Sequence, residues 1–238
     1  MTDLADPSPT PGDEHGHGHW HGPTASRRRV LAAIAALVVL VVLGLLMTHS
    51  PRWHAGELAI DQAAIDGAPV WATAVSRVIA VVFGPAGTSV IVVVIAALAL
   101  ALRRRWRAAT TALALTVVPW LATEALKAVV RRPRPATHGV APISTPWTWA
   151  YPSGHAAAAT AVVIGVLWLA APVLRRQPVL RRVAVTVGVV IVLAVATSRV
   201  VLAVHYPTDV VAGPLCAAAF AVLVDEAQRR IRRTSTRR

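Results

Sequence analysis

Apolar residues in this chain fall into long runs separated by short polar breaks, and the runs predict six membrane helices. The first, VLAAIAALVVLVVLGLLM at 30–47, holds 18 residues without a charge. At 1.5 Å per residue it spans roughly 27 Å, close to the bilayer core. A cleaved signal peptide competes with this reading. The 26-residue segment ahead of it is long for the basic start of a signal peptide, and MTHSP is a poor cleavage site. Residues 49–69 are mixed and carry Glu57, Asp61 and Asp66. VWATAVSRVIAVVF, 70–83, is apolar but short and contains Arg77, which predicts an interfacial or partly inserted helix ended by Gly84 and Pro85.

Four basic or polar breaks divide the remainder. A second span runs from about 85 to 102 and closes on RRRWR, 103–107. A third covers about 108–130, with Pro119, Glu124 and Lys127 inside it. A loop at 131–152 rich in Pro and Trp leads to a fourth span at 154–174, and the turn RRQPVLRR to a fifth at 183–199. After a break containing HYPT, a sixth covers about 208–224. The fold class expected is therefore an all-α membrane protein, six transmembrane helices in a bundle spanning 27–226. A disordered tail, 1–26, precedes it and a basic tail, 227–238, follows.

Composition supports a membrane class. Hydrophobic residues make up 55% of the chain, mean hydropathy is +0.58 and charged residues are 15%, against about 25% in a soluble domain. The net charge of +13 is the kind of balance that also serves nucleic-acid binding, but its distribution follows the spans. Seventeen of the 24 Lys and Arg residues lie in four clusters: 27–29, 103–107, 175–182 and the C-terminal tail. Six spans place all four on one face, which the positive-inside rule makes cytoplasmic, with both termini. The partners implied are membrane lipids and not nucleic acid. Cys216 sits alone in an apolar run and reads as a small buried residue. The alternating His15, His17, His19 and His21 form a tract of a kind that binds metals. No Cys or acidic ligand frames them at a structural-zinc spacing, so they read as part of a solvated tail.

The remaining cations run against the rule: Arg52, Arg77, Lys127, Arg131, Arg132, Arg134 and Arg199. Ionisable residues at membrane depth are functional candidates by default. Three polar segments emerge together on the outer face: KAVVRRPRP (127–135), YPSGH (151–155) and SRVVLAVHYPTD (198–209). They assemble Lys127, Arg134, Arg199, two histidines, a carboxylate and a helix N-terminus, an inventory suited to phosphate. Arg matches phosphate oxygens with a planar fork and Lys supplies a point charge. Ser153 is expected to be the N-cap of span four. Gly154 lets the backbone approach, and the free N–H groups there favour an anion. Asp209, four residues after His205, can fix its tautomer and leave the other ring nitrogen as a nucleophile, with His155 as general acid. Arg131 and Arg132 are expected only to snorkel to lipid headgroups. His138 reads as a loop histidine. Trp147 and Trp149 suit an interface anchor.

These segments resemble the three signature motifs of the type 2 phosphatidic acid phosphatase superfamily. Lys127, Arg134 and Pro135 match the first, Pro152, Ser153, Gly154 and His155 the second, and Ser198, Arg199, His205 and Asp209 the third, in order and without departure. The resemblance covers about residues 55–225. It implies a six-helix membrane fold and a metal-independent site near the outer surface, with no cofactor. His205 would attack phosphorus to give a phosphohistidine, Asp209 would orient it and His155 would protonate the leaving group. Lys127, Arg134, Ser153, Gly154 and Arg199 would hold the phosphoryl oxygens. The function implied is hydrolysis of a lipid phosphate or pyrophosphate, such as undecaprenyl diphosphate, phosphatidic acid or phosphatidylglycerol phosphate. A vanadium haloperoxidase resembles such a site too, but those chains are soluble and larger. A non-catalytic lipid-phosphate binding or transport protein would need neither His155 nor His205.

Overall fold

In a computed structural model, which describes residues 23–103, 106–136 and 149–235, the chain is a bundle of α-helices. They are α1 (Pro23–Thr48), α2 (Pro51–Gly67), α3 (Val70–Val82), α4 (Pro85–Arg103), α5 (Trp106–Val130), α6 (Gly154–Leu174), α7 (Pro178–Val201) and α8 (Pro207–Ser235). Five are long and apolar enough to cross a bilayer: α1 from Ala25, α5, α6, α7, and α8 as far as Arg232. At 1.5 Å per residue they run roughly 30–40 Å, against a hydrocarbon core of about 30 Å. The described part of α4 is apolar but shorter. The segment expected to be mixed, 49–69, is largely the helix α2, and it meets α3 at 115°. α1 begins at Pro23, inside the stretch read as a tail, and α8 stays helical as far as Ser235 within the segment read as a basic tail. His15, His17, His19, His21, His138 and Trp147 lie outside the described residues.

α6 sits at the centre, packed on α4, α5, α7 and α8. Its first turns carry Ala156, Ala157, Ala158, Ala159 and Ala161, all buried. Small side chains let helix backbones approach closely, which is how packing replaces the hydrophobic effect between helices in lipid. The large apolar residues face outward instead, as on α7, where Val183, Val185, Val187, Val190 and Leu193 are exposed. α1 and α8 run antiparallel: the Ser26 hydroxyl donates to Glu226, near the far end of α8. Arg232 likewise reaches back to Thr111 at the start of α5. The α5–α6 and α7–α8 junctions therefore lie together at the opposite end of the bundle.

Two helix ends at that junction end on non-glycine residues in the left-handed region. α7 closes in a Schellman motif: Ala203 N–H donates to Val200 and Val204 N–H to Arg199, with Ala203 at φ 48°. α5 closes with a single bond from Arg131 N–H to the Lys127 carbonyl, with Arg131 at φ 52°. The first turn brings His205 into the protein; the second leaves Arg131 exposed and drives Arg132 inward.

Candidate functional site

The site is built where those two turns meet the start of α6. Ser153 N–H donates to the Asp209 carbonyl at 2.9 Å, tying the α6 N-terminus to the first turn of α8. Ser153 occupies the N-cap position with extended backbone, but its side chain makes no capping bond. The hydroxyl expected to cap α6 is instead wholly buried, and its oxygen has no hydrogen-bond partner among the described residues. Gly154 follows under a tight roof: a Cβ there would collide with the Glu124 carboxylate and stand 3.2 Å from Lys127 Nζ. Lys127 in turn pairs with Glu124 at 2.7 Å.

The other two cations are anchored by backbone carbonyls. Arg134 Nη1 donates to Val204 O at 2.8 Å, beside His205. Arg199 is 2% exposed; its Nη2 donates to Ser76 O of α3 at 3.0 Å and to Ser198 Oγ. α3 also supplies the Ala80 carbonyl against the His155 ring. A helix read from sequence as interfacial or partly inserted thus forms one wall.

His205 is 1% exposed and its Nδ1 lies 3.5 Å from Asp209 Oδ2. Burial, then the charges of Arg134, Lys127 and Arg199, hold its pKa well below the usual 6.5. The imidazole is therefore neutral at neutral pH, the form that can attack. Asp209 is the third residue of α8. Its Oδ2 reaches back to accept the Tyr206 N–H at 2.9 Å, the acidic half of a capping box.

Sequence reasoning missed the group behind Asp209. Arg132 does not snorkel: it is 1% exposed, because its Nη1 donates to Asp209 Oδ1 and to Thr208 Oγ1, both at 2.8 Å, and its Nη2 to Glu57. Its guanidinium carbon stands 4.1 Å from the centre of the Tyr206 ring. Glu57 Oε1 accepts the N–H and the hydroxyl of Thr208 at 2.8 and 2.7 Å. The signal was present in the spacing of His54, Glu57 and Asp61, which places three polar residues on one face of a helix. α2 turns that face inward, burying Glu57 and Asp61.

Comparison with known proteins now decides the family. Residues 108–233 match the family model described as the PAP2 superfamily, more than half of the chain. The chain belongs to the PAP2 superfamily. It is a hydrolase of phosphoric esters and, with its several apolar helices, a multi-pass membrane protein. It is 33% identical over 177 residues to decaprenylphosphoryl-5-phosphoribose phosphatase of Mycolicibacterium smegmatis, covering 70% of this chain and 84% of that one. It also shares its fold with the transmembrane PAP2-type phosphatidylglycerolphosphate phosphatase of Bacillus subtilis, with a TM-score of 0.67, 24% identity and coverage of 84% and 96% of the two chains. The PAP2 match takes in all three polar segments, from Lys127 to Asp209.

Proposed function

We propose that this PAP2 protein hydrolyses lipid phosphates or lipid pyrophosphates at the outer face of the membrane through a phosphohistidine on His205. One observation carries the reading. At one end of a bundle of apolar helices, a buried histidine stands beside a carboxylate, among three anchored cations and a serine hydroxyl with no partner among the described residues. The neutral His205 attacks phosphorus through Nε2 while Asp209 accepts the Nδ1 proton's hydrogen bond and stabilises the cation that forms. The bond to the leaving oxygen breaks, and His155 gives that oxygen a proton. Water, deprotonated by His155, then splits the phosphorus–nitrogen bond and releases phosphate.

Phosphoryl transfer needs positioning and charge stabilisation above all. Lys127, Arg134 and Arg199 supply the charge, and Ser153 and the Gly154 turn supply donors. A site at the end of the bundle suits an amphiphile whose tail stays in lipid. The four basic clusters at the opposite end support a cytoplasmic location for both termini and an outward-facing site.

The test is phosphate release in detergent micelles from a panel holding phosphatidic acid, phosphatidylglycerol phosphate, undecaprenyl diphosphate and decaprenylphosphoryl-5-phosphoribose, the last chosen from the name of the mycobacterial relative. Release that persists in EDTA and is lost in His205→Ala supports the reading. Near wild-type release by His205→Ala sinks it.

A further inference from the structure

Asp209 is gripped from behind by a pair of residues that none of the three motifs contains. Its Oδ1 is taken by Arg132 Nη1 and its Oδ2 by the Tyr206 N–H, so the carboxylate has one orientation, with Oδ2 toward His205. Arg132 is itself held at its second nitrogen by Glu57 and rests on the Tyr206 ring. Glu57 reaches over from α2 and satisfies Thr208 N–H, one of the amides that the start of α8 leaves without a partner inside the helix. Both terminal nitrogens of Arg132 are therefore spent on protein acceptors, whereas Arg134 and Arg199 are tied to carbonyls at the site itself.

We propose that Arg132, locked in place by Glu57 of α2, is the positioning residue that orients Asp209 and through it His205, and that it does not itself bind phosphate. This rests on the phosphohistidine reading above. The planar fork explains the choice of residue: two nitrogens bridge two carboxylates from helices far apart in sequence, which a lysine ammonium cannot match. It explains the arginine turned inward where lipid headgroups would accept one. It also explains why α2 turns Glu57 toward the bundle: Glu57 holds Arg132, and Arg132 holds Asp209.

The experiment measures kcat, KM and inhibition by orthovanadate, a phosphate mimic, for wild type, His205→Ala, Arg132→Gln and Glu57→Gln on the panel lipid that wild type hydrolyses fastest. If wild type releases no phosphate from any lipid, or His205→Ala keeps turnover, the functional reading falls and this inference with it. With that reading intact, a misoriented nucleophile is expected to cost Arg132→Gln about 100-fold in kcat, with KM and vanadate inhibition within about threefold of wild type. Glutamine at 57 keeps an acceptor for Thr208 but removes the charge that holds Arg132; a loss of about tenfold in kcat at unchanged KM is expected. Arg132→Gln turning over within threefold of wild type overturns the proposal. Vanadate inhibition weakening in step with kcat overturns it too, since that is the mark of a phosphate ligand. Should Arg132→Gln fail to fold, Glu57→Gln decides alone, and an unchanged kcat there refutes the proposal.

Discussion

His205 Nδ1 and Asp209 Oδ2 stand 3.5 Å apart across the α7–α8 junction, long for a hydrogen bond, and Nδ1 has no other partner among the described residues. Catalytic hydrogen bonds are often long before substrate binds and tighten in the reacting complex. The carboxylate is held from two other sides, so the adjustment falls to the imidazole. Asp209→Asn keeps the shape and removes the charge that, in the proposed mechanism, stabilises the phosphohistidine cation. It is expected to lower kcat by about 100-fold or more with little change in KM; steady-state kinetics on a turned-over lipid phosphate checks this.

Ser153 separates two roles that its position allows. A capping serine replaced by alanine costs about 1 kcal/mol. Here the hydroxyl makes no bond among the described residues, and burying an unpaired polar group is itself unfavourable. Ser153→Ala is therefore expected to leave thermal stability in detergent unchanged or raised by up to about 1 kcal/mol, while turnover falls roughly tenfold. A clear loss of stability would restore the capping role.

Stability should depend on pH through His205. Its folded pKa is pushed well below 6.5, mainly by burial. Below pH 6.5 the unfolded chain takes a proton at this residue that the folded chain refuses. The stabilisation is complete above that pH and is lost as pH falls, at up to about 1.4 kcal/mol per unit. Denaturation midpoints from pH 7.5 to 5.5 are expected to fall more steeply for wild type than for His205→Asn, the other titrating groups being common to both.

Ala203 stands at φ 48°, where a Cβ is disfavoured and glycine is not. Ala203→Gly keeps the Schellman motif and relieves that strain. It is expected to stabilise by up to about 1 kcal/mol, net of the entropy glycine loses on folding, with kcat unchanged. Thermal unfolding with a parallel activity assay tests both halves.

The run of apolar residues was enough to place the long helices, because a segment in lipid must satisfy its backbone within itself and so declares itself by composition and length. The counts of Arg and Lys oriented those segments relative to one another. Lys127, Ser153, His155, Arg199, His205 and Asp209 could be gathered to one end of the bundle from connectivity alone. What local pattern does not carry is which partner a polar side chain will meet. Arg131 and Arg132 are neighbours with the same side chain, yet one is exposed and the other buried, because the α5 end turns left-handed between them and Glu57 waits from 75 residues away. The spacing of His54, Glu57 and Asp61 marks a polar face on α2 but not, for the same reason, that this face turns inward. The buried face is acidic, against the usual sense of amphipathicity, and the cation that pairs with Glu57 there comes from another helix end. Ser153 looked like a cap because the sequence supplies the residue type and the helix start, whereas in the fold its side chain makes no capping bond and its own N–H is taken by the Asp209 carbonyl of α8. The sequence by itself determined which segments are long and apolar enough to cross a membrane and which polar residues gather at one end of the bundle. The tertiary structure decided which of those residues face one another, since a buried charge settles where a distant helix brings its partner.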